Sequence, residues 1–214
     1  MLVLHTYFRS TAAYRVRIAL ELKGLTYQPV PVHLVRNGGE QHSEAFAALN
    51  PAELVPVLVD GPRTLTQSLP IIEYLDELHA APPLLPADAA GRARVRAIAQ
   101  TIACEMHPLN NLRVLQRLED MGVDAPARSA WYTHWVSLGF KAVEALLRDS
   151  ASTGMYCHGD TPGLADCCLV PQIYNAHRFK IALDAYPLVQ RIGANCLQLP
   201  AFQRAAPEAQ ADAA

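Results

Sequence analysis

The sequence contains no run of lysine and arginine, no apolar stretch near the roughly 20 residues of a membrane span, and no Cys-x-x-Cys pair. Each absence removes a class of function. With 18 basic against 20 acidic side chains and a net charge of −2, the chain lacks the electrostatic footprint of nucleic-acid binding, and no nucleic-acid partner is expected. No membrane partner is expected either. The opening MLVLHTYFRS has no basic segment followed by a long apolar one, so a cytoplasmic protein is expected. The five cysteines, Cys104, Cys157, Cys167, Cys168 and Cys196, are odd in number and irregularly spaced. That argues against a disulfide framework and against a zinc site, and leaves them as free thiols that fill a core. No metal is expected.

What the chain does have is apolar content. At 214 residues, with 51% hydrophobic and 18% charged residues, it can bury a sizeable core as one large domain or two small ones. The first eighty residues alternate short β-branched runs with helix-period segments, the rhythm of an α/β unit. Leu2 to Tyr7 reads as a strand. From Ser10, the apolar positions Ala12, Val16, Ala19 and Leu20 share a helical face that Gly24 stops. Thr26 to Leu34 alternates with a proline and reads as a strand near the sheet margin. Val57–Val59 and Thr64–Thr66 flank the turn Asp60-Gly61-Pro62 as a hairpin, and Ser68 can cap a helix from Leu69 to about Leu78.

Residues 79–88, HAAPPLLPAD, hold three prolines in ten positions and read as a stiff linker. Beyond it only helices are predicted: Ala90 to about Leu118, Ala127 to Arg148, a stretch after Asp160 to about Phe179, and Leu188 to about Leu199. The boundaries are therefore 1–80 for an α/β domain, 81–88 for the linker and 89–214 for an all-helical domain. The alanine-rich tail, 205–214, is expected to fray. No internal repeat is apparent.

Several residues could carry chemistry, and each also has an ordinary structural explanation. Pro56 directly precedes a strand, either as a plain trans turn or as a cis bond that turns the preceding backbone outward. Gln67-Ser68 opens a helix with a hydroxyl, an amide and free N–H groups at a positive dipole end, which suits a carboxylate or serves only as a cap. Ser10 and Thr11 begin the first helix with Arg9 and Arg15 nearby. A thiolate placed there would be stabilised, but no cysteine of the chain stands at that position, so the thiol would come from a ligand.

Taken together, these features resemble the glutathione transferase superfamily, and within it the bacterial isomerases of the zeta class. The resemblance covers nearly the whole chain. Its strongest piece is Tyr7-Phe8-Arg9-Ser10-Thr11-Ala12-Ala13-Tyr14-Arg15-Val16-Arg17-Ile18-Ala19-Leu20, similar to the zeta signature Ser-Ser-Cys-x-x-Arg-Val-Arg-Ile-Ala-Leu. Asn37-Gly38-Gly39-Glu40-Gln41, Leu54-Val55-Pro56, Gln67-Ser68, His107-Pro108-Leu109-Asn110-Asn111-Leu112, Leu164-Ala165-Asp166 and Arg178-Phe179 extend it.

The resemblance implies a thioredoxin-like N-terminal domain, a helical C-terminal domain, and glutathione as cofactor. It implies that Ser10 stabilises the glutathione thiolate, with Thr11 and the helix terminus in support. Gln67 and Ser68 would hold the γ-glutamyl end, Val55 beside a cis Pro56 the cysteinyl part, and Gln41 the glycyl carboxylate. Asn110 and Asn111 would contribute from the helical domain. Arg9 and Arg178, with Arg113 a weaker third, would grip the carboxylates of a small dicarboxylate-type substrate, because a guanidinium fork binds carboxylate bidentately and stays charged. Arg178 could equally be a surface ion pair. His107 could shape the substrate pocket or merely pack.

Two departures stand out. Ala12 replaces the signature cysteine, and Gly163 replaces a Thr/Ser cap before Asp166. The implied activity is glutathione-dependent cis–trans isomerisation of 4-maleylacetoacetate in tyrosine and phenylalanine breakdown. The alternatives are isomerisation of maleylpyruvate in the gentisate route, a broader transferase acting on α-halo acids, and a non-catalytic binding module. The resemblance further implies a homodimer.

Overall fold

The computed structural model describes residues 1–213, which fall into two compact units: Met1–Leu84 together with the chain from Leu197 onward, and Leu85–Cys196. The segment after Leu197 therefore belongs with the first unit, whereas the sequence boundaries assign it to the helical domain.

The first unit is built on a four-stranded sheet in the order β2-β1-β3-β4, with β1 Leu2–Thr6, β2 Tyr27–Pro31, β3 Val57–Asp60 and β4 Arg63–Thr66. β1 runs parallel to β2, with Leu2 opposite Tyr27, and antiparallel to β3, with Leu4 opposite Leu58. The predicted strand over 26–34 is shorter than expected and lies at the edge, where Pro29 and Pro31 need no ladder N–H. Helix α1, Thr11–Leu22, crosses from β1 to β2, while α3, Ser68–Leu78, follows the β3–β4 hairpin and buries Ile71, Ile72 and Leu75. A short helix that the sequence reading omits, α2 over Glu44–Leu49, is capped by the Ser43 hydroxyl.

Burial around α1 extends beyond the predicted apolar stripe to Arg15 and Arg17. The Arg17 guanidinium donates to Thr6 Oγ1 at 3.0 Å, to the Phe8 carbonyl at 2.9 Å, and to the Ala205 carbonyl at 3.0 Å. The last of these fastens α9, Pro200–Ala205, to α1. The tail is not frayed over its described residues. It forms 3-10 turns at Pro207–Ala209 and Ala211–Ala213, and Asp212 accepts the Phe8 N–H at 3.0 Å. Its partners lie some two hundred positions away in sequence, so no local pattern announces them.

In the second unit the single helix predicted from 90 to about 118 is broken. It runs as α4, Ala89–Gln100, a π-helical turn over Thr101–Met106, a 3-10 turn over His107–Asn110, and α5, Leu112–Asp120. Pro108 has no N–H to continue an α-helical ladder. Asn111 then turns extended, and its side chain caps α5 by accepting the Arg113 N–H. Helix α6, Ala125–Arg148, packs beside the π turn. A Cβ at Gly139 would lie 2.3 Å from Met106 Cε, so glycine makes room for that methionine.

Helix α7, Leu164–Arg178, is buried along most of its length. Gly163 stands at its N-cap, and Asp166 reaches back to accept the Gly163 N–H and the Cys157 N–H, both at 2.9 Å. The carboxylate thus ties the cap residue's own N–H and the Cys157 N–H to the first turn of α7. Glu144 of α6 similarly accepts the first N–H groups of α8, Pro187–Leu197, from Leu188 and Val189. Cys157, Cys167, Cys168 and Cys196 are buried thiols, as expected; Cys104 is exposed. No helix among the described residues is long and apolar enough to cross a membrane.

Candidate active site

Ser10 is the N-cap of α1. Its backbone is extended, its N–H donates to the Tyr7 carbonyl at 2.9 Å, and its Oγ accepts the Ala13 N–H at 3.2 Å. A backbone N–H only donates, so the Ser10 oxygen acts there as acceptor and its own proton is left to donate elsewhere. The first N–H groups of α1 have no intrahelical carbonyl to pair with, by the geometry of the ladder, and add positive potential. Thr11 is buried, whereas Arg9 is exposed, with its guanidinium 4.8 Å from the Phe8 ring centroid and donating to the Tyr7 hydroxyl at 3.1 Å.

A second helix start repeats the arrangement. Ser68 is the first residue of α3 rather than its cap. Gln67 holds the cap position at φ 69°, in the left-handed region, and makes no side-chain cap bond. That backbone turns Gln67 outward, exposed, and leaves Ser68 buried. The Ser68 Oγ accepts from Arg15 Nη1 at 3.1 Å. A guanidinium has no acceptor atom, so the Ser68 proton is again left to donate. The sequence places Arg15 only as positive charge near Ser10; its bond to Ser68, 53 positions on, is not readable from local pattern. The available signal was an arginine embedded in an otherwise apolar helix.

The Val55-Pro56 bond is cis, one of the two alternatives open from the sequence; Ala81-Pro82 is also cis. β3 begins only at Val57, so the peptide groups of Val55 lie outside the ladder. Gln41 is buried. Its Nε2 lies 3.4 Å from the Leu34 carbonyl and 2.9 Å from His42 Nε2, and its Oε1 has no hydrogen-bond partner among the described residues. A Cβ at Gly39, which has φ 107°, would strike the Gln41 amide at 2.4 Å, so the glycine is required for this placement. His42 in turn pairs through Nδ1 with Glu53, a contact the sequence reading does not anticipate.

The remaining expected residues lie in the second unit. Asn110 is buried, and neither polar atom of its side chain has a hydrogen-bond partner among the described residues. The Asn111 oxygen caps α5 by accepting the Arg113 N–H at 3.2 Å, a bond that does not use its amide nitrogen. His107 is half-buried at the start of the 3-10 turn, while Arg113 and Arg178 are exposed. Arg178 is the last residue of α7, and its guanidinium lies 5.0 Å from the Phe179 ring centroid.

The donor set fits glutathione. One end of that tripeptide carries an ammonium and a carboxylate, which match the exposed Gln67 amide, the Ser68 hydroxyl and the start of α3. Its thiol matches a hydroxyl donor at the start of α1, and its peptide groups match the off-ladder Val55 backbone. Gln41 fits less directly: its unpartnered Oε1 only accepts and so does not match the glycyl carboxylate, while the Nε2 that could donate to one already lies 3.4 Å from the Leu34 carbonyl and 2.9 Å from His42 Nε2.

The family profile described as glutathione S-transferase, N-terminal domain, matches residues 4–83. The chain is 53% identical over 213 residues to a probable maleylacetoacetate isomerase of Vibrio cholerae, covering 99% of this chain and 98% of that one. Among solved structures it is similar to a maleylpyruvate isomerase described as a bacterial glutathione S-transferase of the zeta class. There the TM-score is 0.95 and the identity 49%, covering 99% of this chain and 100% of the other. It is similar also to a maleylacetoacetate isomerase from Methylobacterium extorquens AM1 with bound malonate and glutathione, at TM-score 0.95 and 41% identity, covering 99% of each chain.

Proposed function

The chain belongs to the zeta class of the glutathione S-transferase family, and on that premise we propose that it is a glutathione-dependent isomerase converting 4-maleylacetoacetate to 4-fumarylacetoacetate in tyrosine and phenylalanine breakdown. The observation that carries this reading is the pair of helix-start serines, Ser10 and Ser68. Each is held as acceptor by an obligate donor and so is left with a proton to give.

Glutathione, when bound, supplies a thiolate that adds reversibly to a conjugated double bond, which permits rotation before the thiolate leaves. The protein's work is to bind, orient and balance charge. Ser10 donates toward the sulfur position and, with Thr11 and the α1 terminus, favours the ionised thiol. Ser68, held by Arg15, and Gln67 take the γ-glutamyl end. Val55 beside Pro56 aligns the cysteinyl backbone, and Gln41 serves the glycyl end. Asn110 and Asn111 are the second unit's amide candidates. Arg9 and Arg178 hold the substrate carboxylates, with Arg113 and His107 in reserve. Because Ala12 replaces the signature cysteine, the thiol at that position takes no part.

The 49% identity to a maleylpyruvate isomerase favours maleylpyruvate as the second reading of the same site. Both substrates share a maleyl end. A homodimer and a cytoplasmic location complete the proposal and rest on the family resemblance. The test is a spectrophotometric assay of both substrates, with and without glutathione, in wild type and Ser10→Ala. Glutathione-dependent turnover that falls at least tenfold in the variant is expected. No turnover of either substrate would sink the isomerase reading.

A further inference from the structure

The end of α7 brings together three side chains, Arg178, Phe179 and Tyr132. The Arg178 guanidinium lies 5.0 Å from the Phe179 ring centroid. The Phe179 ring in turn stacks on the Tyr132 ring of α6, with centroids 3.9 Å apart and planes 19° from parallel. Phe179 is 41% exposed and Tyr132 only 2%. The large aromatic is therefore at the surface, stacked on a buried ring and in contact with a surface cation. The charge of Arg178 also reaches the Tyr132 phenol, which burial pushes up and the guanidinium draws partly back.

A surface arginine ordinarily samples many rotamers and must lose that freedom to clamp a carboxylate in two-point geometry. A guanidinium seated on an aromatic face has already lost part of it, and the ring leaves the N–H edge free to donate. The ring serves this purpose only if it is itself fixed, and its stack on the buried Tyr132 fixes it.

We propose that Phe179, braced on Tyr132, is a positioning residue that pre-orients Arg178 for a substrate carboxylate. This rests on the reading of Arg178 as a carboxylate ligand given above.

Four proteins test it: wild type, Arg178→Ala, Phe179→Leu and Phe179→Tyr. Leucine keeps the apolar cover over Tyr132 but removes the π face, and tyrosine restores the face. The readouts are KM and kcat for the maleyl substrate, KM for glutathione, thermal midpoint, and binding of malonate by titration calorimetry. Phe179→Leu is expected to raise the substrate KM and weaken malonate about two- to fivefold, the range of an exposed cation–π contact. Glutathione KM should stay near wild type, loss of the ring stack should lower the thermal midpoint by only about 2–4 °C, and Phe179→Tyr should recover both losses. Arg178→Ala should exceed tenfold. If Arg178→Ala weakens substrate and malonate while Phe179→Leu does not, the positioning role is overturned and the Arg178 reading stands. A Phe179→Leu loss that tyrosine does not recover, or that appears equally in glutathione KM, overturns it too. If Arg178→Ala changes neither substrate KM nor malonate binding, the Arg178 reading falls and the proposal with it.

Discussion

Arg15 of α1 donates from Nη1 to the Ser68 hydroxyl at the first turn of α3, across 3.1 Å and with both residues buried. This bond ties the body of α1 to the start of α3. It also sets the polarity of Ser68, because a hydroxyl that accepts from a guanidinium has its own proton left for an anion. Replacing Arg15 by methionine should therefore cost about 1.5–3 kcal/mol of stability, the usual range for a hydrogen bond involving a charged group. It should also raise the glutathione KM. Ser68→Ala keeps the arginine and should raise the same KM about tenfold or more, with little change in kcat at saturating glutathione. Steady-state kinetics beside urea unfolding separates the two effects.

At the other helix start, the Ser10 proton favours the charged form of a thiol and so lowers its pKa. Removing the hydroxyl in Ser10→Ala moves that pKa up. The acid limb of the pH profile of kcat/KM should shift to higher pH, and the deficit should shrink as pH rises. Loss of the cap should cost about 0.5–2 kcal/mol. A variant with an unshifted limb and a pH-independent deficit would remove Ser10 from thiolate stabilisation.

Lys23 at the end of α1 donates to Asp76 at 2.7 Å, to the His79 carbonyl at 2.6 Å and to the Pro82 carbonyl at 2.9 Å, with its side chain fully buried. It anchors the proline-rich segment to the first unit. Lys23→Met strands Asp76, which still accepts the Leu84 N–H at 2.8 Å. The expected loss is about 3–5 kcal/mol, as for a broken buried pair, and is read by denaturant unfolding.

Asp166 is buried between two N–H donors. Burial pushes its carboxyl above the usual range, and the backbone hydrogen bonds pull it partly back. With the folded pKa above the unfolded one, its contribution to stability is fullest below the unfolded value and is lost as pH rises through the folded value. Asp166→Ala orphans the Gly163 and Cys157 N–H groups and should cost about 2–4 kcal/mol. The gap between wild type and variant should widen from pH 7 toward about pH 4. Urea unfolding at several pH values checks both size and direction.

Much of the first unit is legible in the residues because its signals are local. Ser10 before an apolar helical run is a cap, and the prolines of β2 mark an edge strand. Ser68 is displaced by one position because Gln67 takes a left-handed backbone that no local preference of glutamine announces. The break after Gln100 is not legible because the apolar period continues through Pro108, and only the Asn111 cap shows where α5 restarts. At the site, Ser10, Gln67 and Ser68 were visible as helix starts. Arg15 as the partner of Ser68 and Phe179 as the seat of Arg178 were not.

By itself, then, the sequence determined the α/β and helical classes, the family, and the residue types a thiol-bearing ligand needs. Periodicity, capping and motif spacing all act within a few positions of one another. Only tertiary structure decided the cis state of Pro56, the return of the chain after Leu197 to the first unit, and which way the Ser68 hydroxyl faces. Those outcomes depend on pairings such as Arg15 with Ser68 or Arg17 with the Ala205 carbonyl. Groups 53 and 188 positions apart meet only when burial makes an unpaired guanidinium too costly to leave alone.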